Sequence, residues 1–202
     1  MQLRRPSPRW LPAAVLLALL LIPAGVAASE RMGRREATAT LRDVHGVTVG
    51  QVRLEDRGGR TRVRVRAWGL STGFHGFHLH AVGVCDPNAV DPATGRVTPF
   101  LSAGGHHNPA ATSHPAHGGD LPVLFADQRG RAAAEVVTDR FGVRELLAGD
   151  GSAVIVHAAP DNYANIPTRY QSAQGGAPGP DADTLKTGDS GGRVVCGVVK
   201  RR

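Results

Sequence analysis

The segment RTRVRVRAWG, residues 60–69, shows the clearest secondary-structure pattern of the chain. Its small apolar residues alternate with arginines, so that Val63 and Val65 share one face while Arg62 and Arg64 share the other. Strict alternation of this kind predicts an antiparallel strand with one buried and one solvated face.

Short runs of similar character recur along the chain, and turn signals such as DRGG and DQRG separate them. They are ATATLRDV (37–44), VGQVRLED (49–56), LPVLFAD (121–127), RAAAEVVTD (131–139), SAVIVHA (152–158) and RVVCGVVK (193–200). Seven or eight short strands predict an all-β sandwich or barrel. Residues 140–151 predict a short helical connector, and residues 85–120 and 158–193 predict two long loops, which in a compact domain are usually functional or disordered.

The N-terminal segment has the order of a secretory signal peptide. Basic residues 1–10 precede an apolar run that ends in small residues at Ala28. We therefore expect a signal peptide at 1–28, a linker at 29–36 and one domain at 37–202. The alternative is an uncleaved membrane anchor, which Pro12 and Pro23 disfavour because they interrupt the apolar run. The segment predicts export to the secreted, cell-surface or periplasmic space, without stable membrane insertion after cleavage.

The net charge of +7 comes partly from this segment, which holds three arginines and no acid. The rest of the chain has 21 basic and 17 acidic residues, a net charge of +4. No recognition helix or basic patch with interleaved aromatics accompanies this charge, so the sequence predicts no nucleic-acid partner. Attraction to small anions or to anionic surfaces remains open.

Two cysteines, Cys85 and Cys196, lie 111 residues apart. In an exported protein such a pair favours a disulfide over two free thiols.

Histidines are concentrated in GFHGFHLH, residues 73–80. In a strand, His78 and His80 project from one face about 7 Å apart, close enough for both to reach one metal ion. Phe77 and Leu79 face the opposite side, as core residues do, and His75 has the parity that excludes it from the pair. On its own the H-x-H pair fits either a metal site or independent imidazoles.

Other histidines fall in or beside the two predicted loops, and they favour a metal site over independent surface histidines. They are His106 in SAGGHHNP, His114 and His117 with Asp120 in HPAHGGDLP, and His157 with Asp161 in AVIVHAAPDN.

These motifs resemble the copper–zinc superoxide dismutases over residues 37–200. GFHGFHLHAVGVC, AGGHHNP, HGGDLP, VIVHAAPDN and KTGDSGGRVVCGVV follow the order of that family, and GGHHNP and GGDLPVL resemble its bacterial secreted branch. The resemblance implies an eight-stranded antiparallel Greek-key sandwich or flattened barrel. It also implies an enzyme that converts superoxide to oxygen and hydrogen peroxide by cycling a histidine-bound copper, as a monomer or homodimer.

The resemblance also assigns the site residues. It implies copper ligands His78, His80, His106 and His157, and zinc ligands His106, His114, His117 and Asp120. Asp161 would join a copper histidine to a zinc histidine, His75 would be structural, and Cys85 would pair with Cys196. The catalytic residues would be Arg193, which docks the anion, and His106. Imidazole nitrogens suit Cu(II), and three histidines with one carboxylate suit a closed zinc site.

One spacing departs from the family pattern. Only Pro115 and Ala116 separate His114 from His117, where the family usually has a longer stretch, and some relatives with a shortened loop have lost zinc. The resemblance therefore implies copper with zinc as a second metal, and leaves copper alone as an alternative. A non-enzymatic copper-binding module and a zinc hydrolase are the rival functions, but neither long loop contains a glutamate that could act as a hydrolytic base.

Overall fold

The computed structural model describes residues 35–171 and 175–202. The predicted signal peptide and nearly all of the predicted linker lie outside these residues. Within the described part of the chain, no helix has the length and apolar character needed to cross a membrane.

Within residues 35–171 and 175–202, ten strands form the fold. They are β1 Glu36–Asp43, β2 Thr48–Arg57, β3 Arg60–Ala67, β4 Gly73–His75, β5 Phe77–His80, β6 Leu124–Ala126, β7 Ala132–Thr138, β8 Ala153–His157, β9 Arg193–Val198 and β10 Lys200–Arg201. Three short helical segments complete it: a 3-10 turn at Leu101–Ala103, α1 at Val143–Leu146 and α2 at Thr184–Thr187.

The main sheet is antiparallel, with the spatial order β5-β8-β9-β1-β2-β3-β7, and β10 pairs with β1. β4 and β6 form a separate two-stranded sheet. Neighbours such as β9 and β1 are distant in sequence, as a Greek-key topology requires. The all-β fold class predicted from the sequence is confirmed.

The alternation in residues 60–69 produces the expected strand. Val63 and Val65 are almost completely buried, whereas Arg62 and Arg64 lie toward solvent. Arg64 donates to Glu135 on the adjacent strand β7, with Nε and Oε2 2.6 Å apart. The buried face joins the main core, which also contains Phe77 and Leu79 of strand β5.

The segment GFHGFHLH differs from the single strand expected. Its backbone switches at Gly76 from β4, which pairs with β6, to β5, which pairs with β8. The Gly76 N–H donates to the carbonyl of Ala159 instead of a strand neighbour. A Cβ at Gly76 would lie 2.6 Å from Ser190, so only glycine allows the second loop to approach this closely. This break and the two-residue β10 raise the strand number from about eight to ten.

The predicted disulfide is present. Cys85 and Cys196 are bonded, with their Cα atoms 5.7 Å apart, and they join the first long loop to β9. Cys196 packs in a second apolar cluster with Phe100 and Ile155, which seats that loop on the sheet. The connector helix expected in residues 140–151 is confirmed as the single turn α1.

Candidate metal centre

Strand β5 organises the site, because it pairs with β8 on one side and with the first long loop on the other. On one side β5 pairs with β8, which carries His157 at its end. On its other side, isolated antiparallel bridges pair His78 with Asp120 and His80 with His106. Backbone hydrogen bonds from Leu79 to Gly119 and from His107 to Leu79 fix this register. Residues far apart in the chain are thereby held beside the H-x-H pair.

The first cluster contains the four histidines that the resemblance assigns to copper: His78, His80, His106 and His157. One ring nitrogen from each lies within 4.8 Å of the others. Two rings are oriented by backbone carbonyls. His80 Nδ1 is 2.9 Å from the Gly104 oxygen and His157 Nδ1 is 3.0 Å from the Gly191 oxygen. This leaves the Nε2 atoms of both rings facing the cluster.

The second cluster contains His106, His114, His117 and Asp120, again with potential ligand atoms within 4.8 Å of one another. His106 Nδ1 is 2.8 Å from Asp120 Oδ1 and 3.2 Å from His117 Nδ1. A tetrahedral zinc ion with ligands at about 2.0 Å separates its donor atoms by about 3.3 Å, so this spacing suits zinc. His106 belongs to both clusters, and the short loop does bring His114 to the site.

Asp161 links the two clusters. Its side chain is fully buried, with Oδ2 2.7 Å from His78 Nε2 and Oδ1 2.8 Å from His114 Nε2. Each histidine therefore presents its Nδ1 to its own cluster, because a carboxylate on one ring nitrogen fixes the tautomer. Gly188 closes over this link: a Cβ there would overlap Asp161 Oδ1, and its φ of 62° also favours glycine.

Burial and neighbouring charges shift the pKa values of residues in both clusters. Burial lowers the pKa values of His78 and His80 and lowers the pKa of His157 to about 3, which keeps these rings neutral. Burial also raises the pKa of Asp120, but the neighbouring His106 and His114 outweigh this and hold it well below its usual range. Burial lowers the pKa of His114, yet the carboxylates of Asp120 and Asp161 raise it overall to about 9.

Arg193 lies beside the first cluster, across the strand register from His157. Its guanidinium donates to the Phe100 oxygen at 2.6 Å and to the Gly104 oxygen at 2.7 Å. Gly104 also orients His80, so one carbonyl positions both side chains. Burial lowers the pKa of Arg193 from its high ordinary value.

An open cavity of about 790 Å³ reaches the first cluster. It is lined by His80, His106, His157, Arg193 and Lys186 among others. The lining carries two cationic side chains, Arg193 and Lys186, and two carboxylates, Asp183 and Asp189.

The remaining histidines lie outside both clusters. His75 is buried, with Nδ1 2.7 Å from the His157 oxygen and Nε2 2.8 Å from the Ser71 oxygen, so it joins two backbone segments. His107 turns away and meets Glu145 at 2.7 Å. Sequence reasoning missed one further residue at the site, Arg140, which contacts the loop between His114 and Asp120 and belongs to no motif.

The fold and the site together define a class: a Greek-key β-sandwich with two adjacent clusters of potential metal ligands that share one histidine. Residues 48–199 match the family described as copper/zinc superoxide dismutase (SODC). The chain belongs to this family.

Similar proteins include the copper–zinc superoxide dismutase of Mycobacterium tuberculosis, which is 44% identical over 174 residues, covering 84% of this chain and 72% of the relative. The Deinococcus radiodurans enzyme is 29% identical over 201 residues, covering 95% and 97% respectively. Among solved structures, the Brucella abortus Cu/Zn superoxide dismutase superposes with a TM-score of 0.61 at 28% identity, covering 82% of this chain and 99% of its own.

Proposed function

We propose that the chain is a superoxide dismutase whose first cluster holds copper and whose second cluster holds zinc. Copper would be bound by His78, His80, His106 and His157, and zinc by His106, His114, His117 and Asp120. The observation that carries this proposal is the convergence of both donor sets on the shared ring of His106. Family membership supplies the reaction, in which two superoxide anions and two protons give oxygen and hydrogen peroxide.

Buried nitrogens without partners support this fit. His78 Nδ1, His80 Nε2 and His157 Nε2 have no hydrogen-bond partner among the described residues. A buried polar atom without a partner is costly, and all three atoms face a cluster. No hydrogen bond in the described chain satisfies these atoms, whereas coordination of a metal ion would satisfy each of them.

When bound, copper would supply the one-electron chemistry, taking an electron from one superoxide and returning it to the next. The chain's own residues bind and orient the substrate. The guanidinium of Arg193, held by two carbonyls, presents its charge to an anion in the cavity. His106 has Nδ1 directed at the second cluster, so Nε2 is its remaining site for holding and delivering a proton to the peroxide product. The Asp161 link keeps the ligand rings fixed while this happens.

We also propose that the protein is exported, with residues 1–28 as a signal peptide removed from the domain at 37–202. The Cys85–Cys196 disulfide supports this, because disulfides persist in oxidising compartments. The active unit would be a monomer or homodimer.

The test is to measure copper and zinc content by elemental analysis together with superoxide consumption. We expect one copper and one zinc per chain in the purified protein, with rapid dismutation. His80→Ala should lose copper and activity, whereas His45→Ala, at an exposed turn outside both clusters, should keep both. Bound copper without superoxide consumption would refute the dismutase assignment and favour a non-enzymatic copper-binding module.

A further inference from the structure

Arg140 contacts the loop that carries three of the four residues of the second cluster. Its Nη1 atom lies 2.9 Å from the Pro115 oxygen, 3.3 Å from the His117 oxygen and 3.5 Å from the Asp120 oxygen. The first contact is a good hydrogen bond and the other two are progressively weaker. Arg140 itself follows β7, in the connector that leads to α1. The contact therefore comes from outside the two long loops, residues 85–120 and 158–193.

The accepting carbonyls belong to the same loop segment that carries the potential ligand side chains. Pro115 follows His114 directly, and His117 and Asp120 are themselves members of the second cluster. A cation that attracts all three carbonyls draws the backbone of residues 115–120 around one point. The side chains of the same segment, those of His114, His117 and Asp120, converge in the second cluster.

The shortness of this loop explains why such a contact matters. Only two residues separate His114 from His117, so the loop has little length in which to form internal hydrogen bonds. The internal bonds that the structure does show are local, such as Asp120 Oδ2 accepting from the His117 N–H at 3.0 Å. Arg140 supplies an external anchor that the sequence of the loop does not contain.

A second contact from the same connector supports this interpretation. Glu145 on α1 meets the ring of His107 at 2.7 Å, and the backbone of His107 joins β5 to Gly119. The connector therefore anchors the chain on both sides of the second cluster, next to His106 and beside Asp120.

We propose that Arg140 is a positioning residue for zinc, which preorganises the shortened loop so that His114, His117 and Asp120 meet. This inference rests on the proposed zinc site and extends it to a residue that binds no metal. Residues that orient ligands typically contribute about 10- to 100-fold to metal affinity. Since Arg140 is exposed and contacts only backbone carbonyls of the loop, we expect its contribution to zinc affinity to lie at the lower end of that range.

The experiment is to measure zinc affinity by competition with a chromophoric chelator for the wild type and three variants. Arg140→Ala should weaken zinc binding about 10-fold. Arg140→Lys should fall between the two, because an ammonium keeps the charge but not the planar guanidinium. The matched control is Arg144→Ala, four residues on, whose exposed side chain makes no ion pair within residues 35–171 and 175–202 and should leave zinc affinity unchanged.

Two further readouts separate positioning from general stability. The visible absorption of Co²⁺ bound in place of zinc should lose its tetrahedral character in Arg140→Ala. The stabilisation that zinc adds over the metal-free protein should fall by about 1.4 kcal/mol, the equivalent of 10-fold in affinity. A general structural role would instead lower the unfolding free energies of both forms equally.

Zinc affinity of Arg140→Ala within twofold of the wild type would overturn the proposal, as would an equal loss in Arg144→Ala. A wild-type chain that binds no zinc would overturn it as well. Superoxide consumption by the copper-loaded wild type is measured separately. Its presence would leave the dismutase assignment standing when the zinc proposal fails, and its absence would refute that assignment itself.

Discussion

Replacing Asp161 with alanine removes the carboxylate that links the two clusters. The change deletes two short contacts, at 2.7 Å to His78 Nε2 and at 2.8 Å to His114 Nε2. It also leaves two buried N–H groups without an acceptor. A hydrogen bond to a charged group contributes about 1.5–3 kcal/mol, so the loss is large for both rings.

The two rings should respond differently because their backbones differ. His78 lies on β5, between β8 and the bridge to Asp120, so the strand continues to hold it. His114 lies on a short loop, and Asp161 is the only hydrogen-bond partner of its Nε2 atom in the described chain. We therefore expect zinc affinity to fall about 10- to 100-fold, or about 1.4–2.7 kcal/mol, with a smaller change for copper.

Chelator competition with each metal measures both affinities directly. Asp127→Ala is the matched control, because that carboxylate is partly exposed on a turn, belongs to neither cluster and interacts with Arg131. Wild-type zinc affinity in Asp161→Ala would refute the reasoning. So would a loss of copper affinity that exceeds the loss of zinc affinity.

Three further outcomes follow from the same contacts. Replacing both Cys85 and Cys196 with serine should lower the unfolding free energy by about 4–5 kcal/mol, since the bridge closes a 111-residue loop; denaturant titration with an unchanged midpoint would contradict this. In the metal-free protein, the pKa of His114 is raised to about 9, so its stabilising contribution is complete below pH 6.5 and is lost as the pH rises through 9. The urea midpoint of the wild type should therefore fall between pH 6.5 and 9, whereas that of His114→Gln should not. The same pH dependence in both proteins would contradict the raised pKa of His114. Arg193→Ala should slow superoxide consumption about 10-fold at low ionic strength and weaken its salt dependence, with copper content unchanged; an unaltered rate would show that Arg193 does not guide the anion.

Local patterns were enough to predict the strands and the core. The alternation around Val63 and Val65 is a property of neighbouring residues, and the structure buries those two valines as expected. Strand parity likewise predicted that His78 and His80 share a face opposite Phe77. What parity could not predict is the switch between sheets at Gly76, because it depends on β6 and on the second loop, both remote in sequence.

The assembly of the clusters required information that spacing alone does not contain. His106 and His157 reach β5 from two separate loops, and only the family resemblance identified them as partners of the H-x-H pair. The short spacing between His114 and His117 left the position of His114 open, and the structure places both rings in the second cluster. The sequence could not identify Arg140 as a residue of the site, because its partners are backbone carbonyls, which every residue has.

Electron paramagnetic resonance of the copper form, with Co²⁺ in place of zinc, tests whether the single ring of His106 joins both metal sites. Two paramagnetic ions joined through one imidazole should couple, so the copper signal should be lost or strongly broadened when cobalt fills the second cluster. His106→Gln, loaded with both ions, should restore an isolated copper signal. An unperturbed copper signal in the wild type, with one copper and one cobalt bound per chain, would contradict a shared histidine.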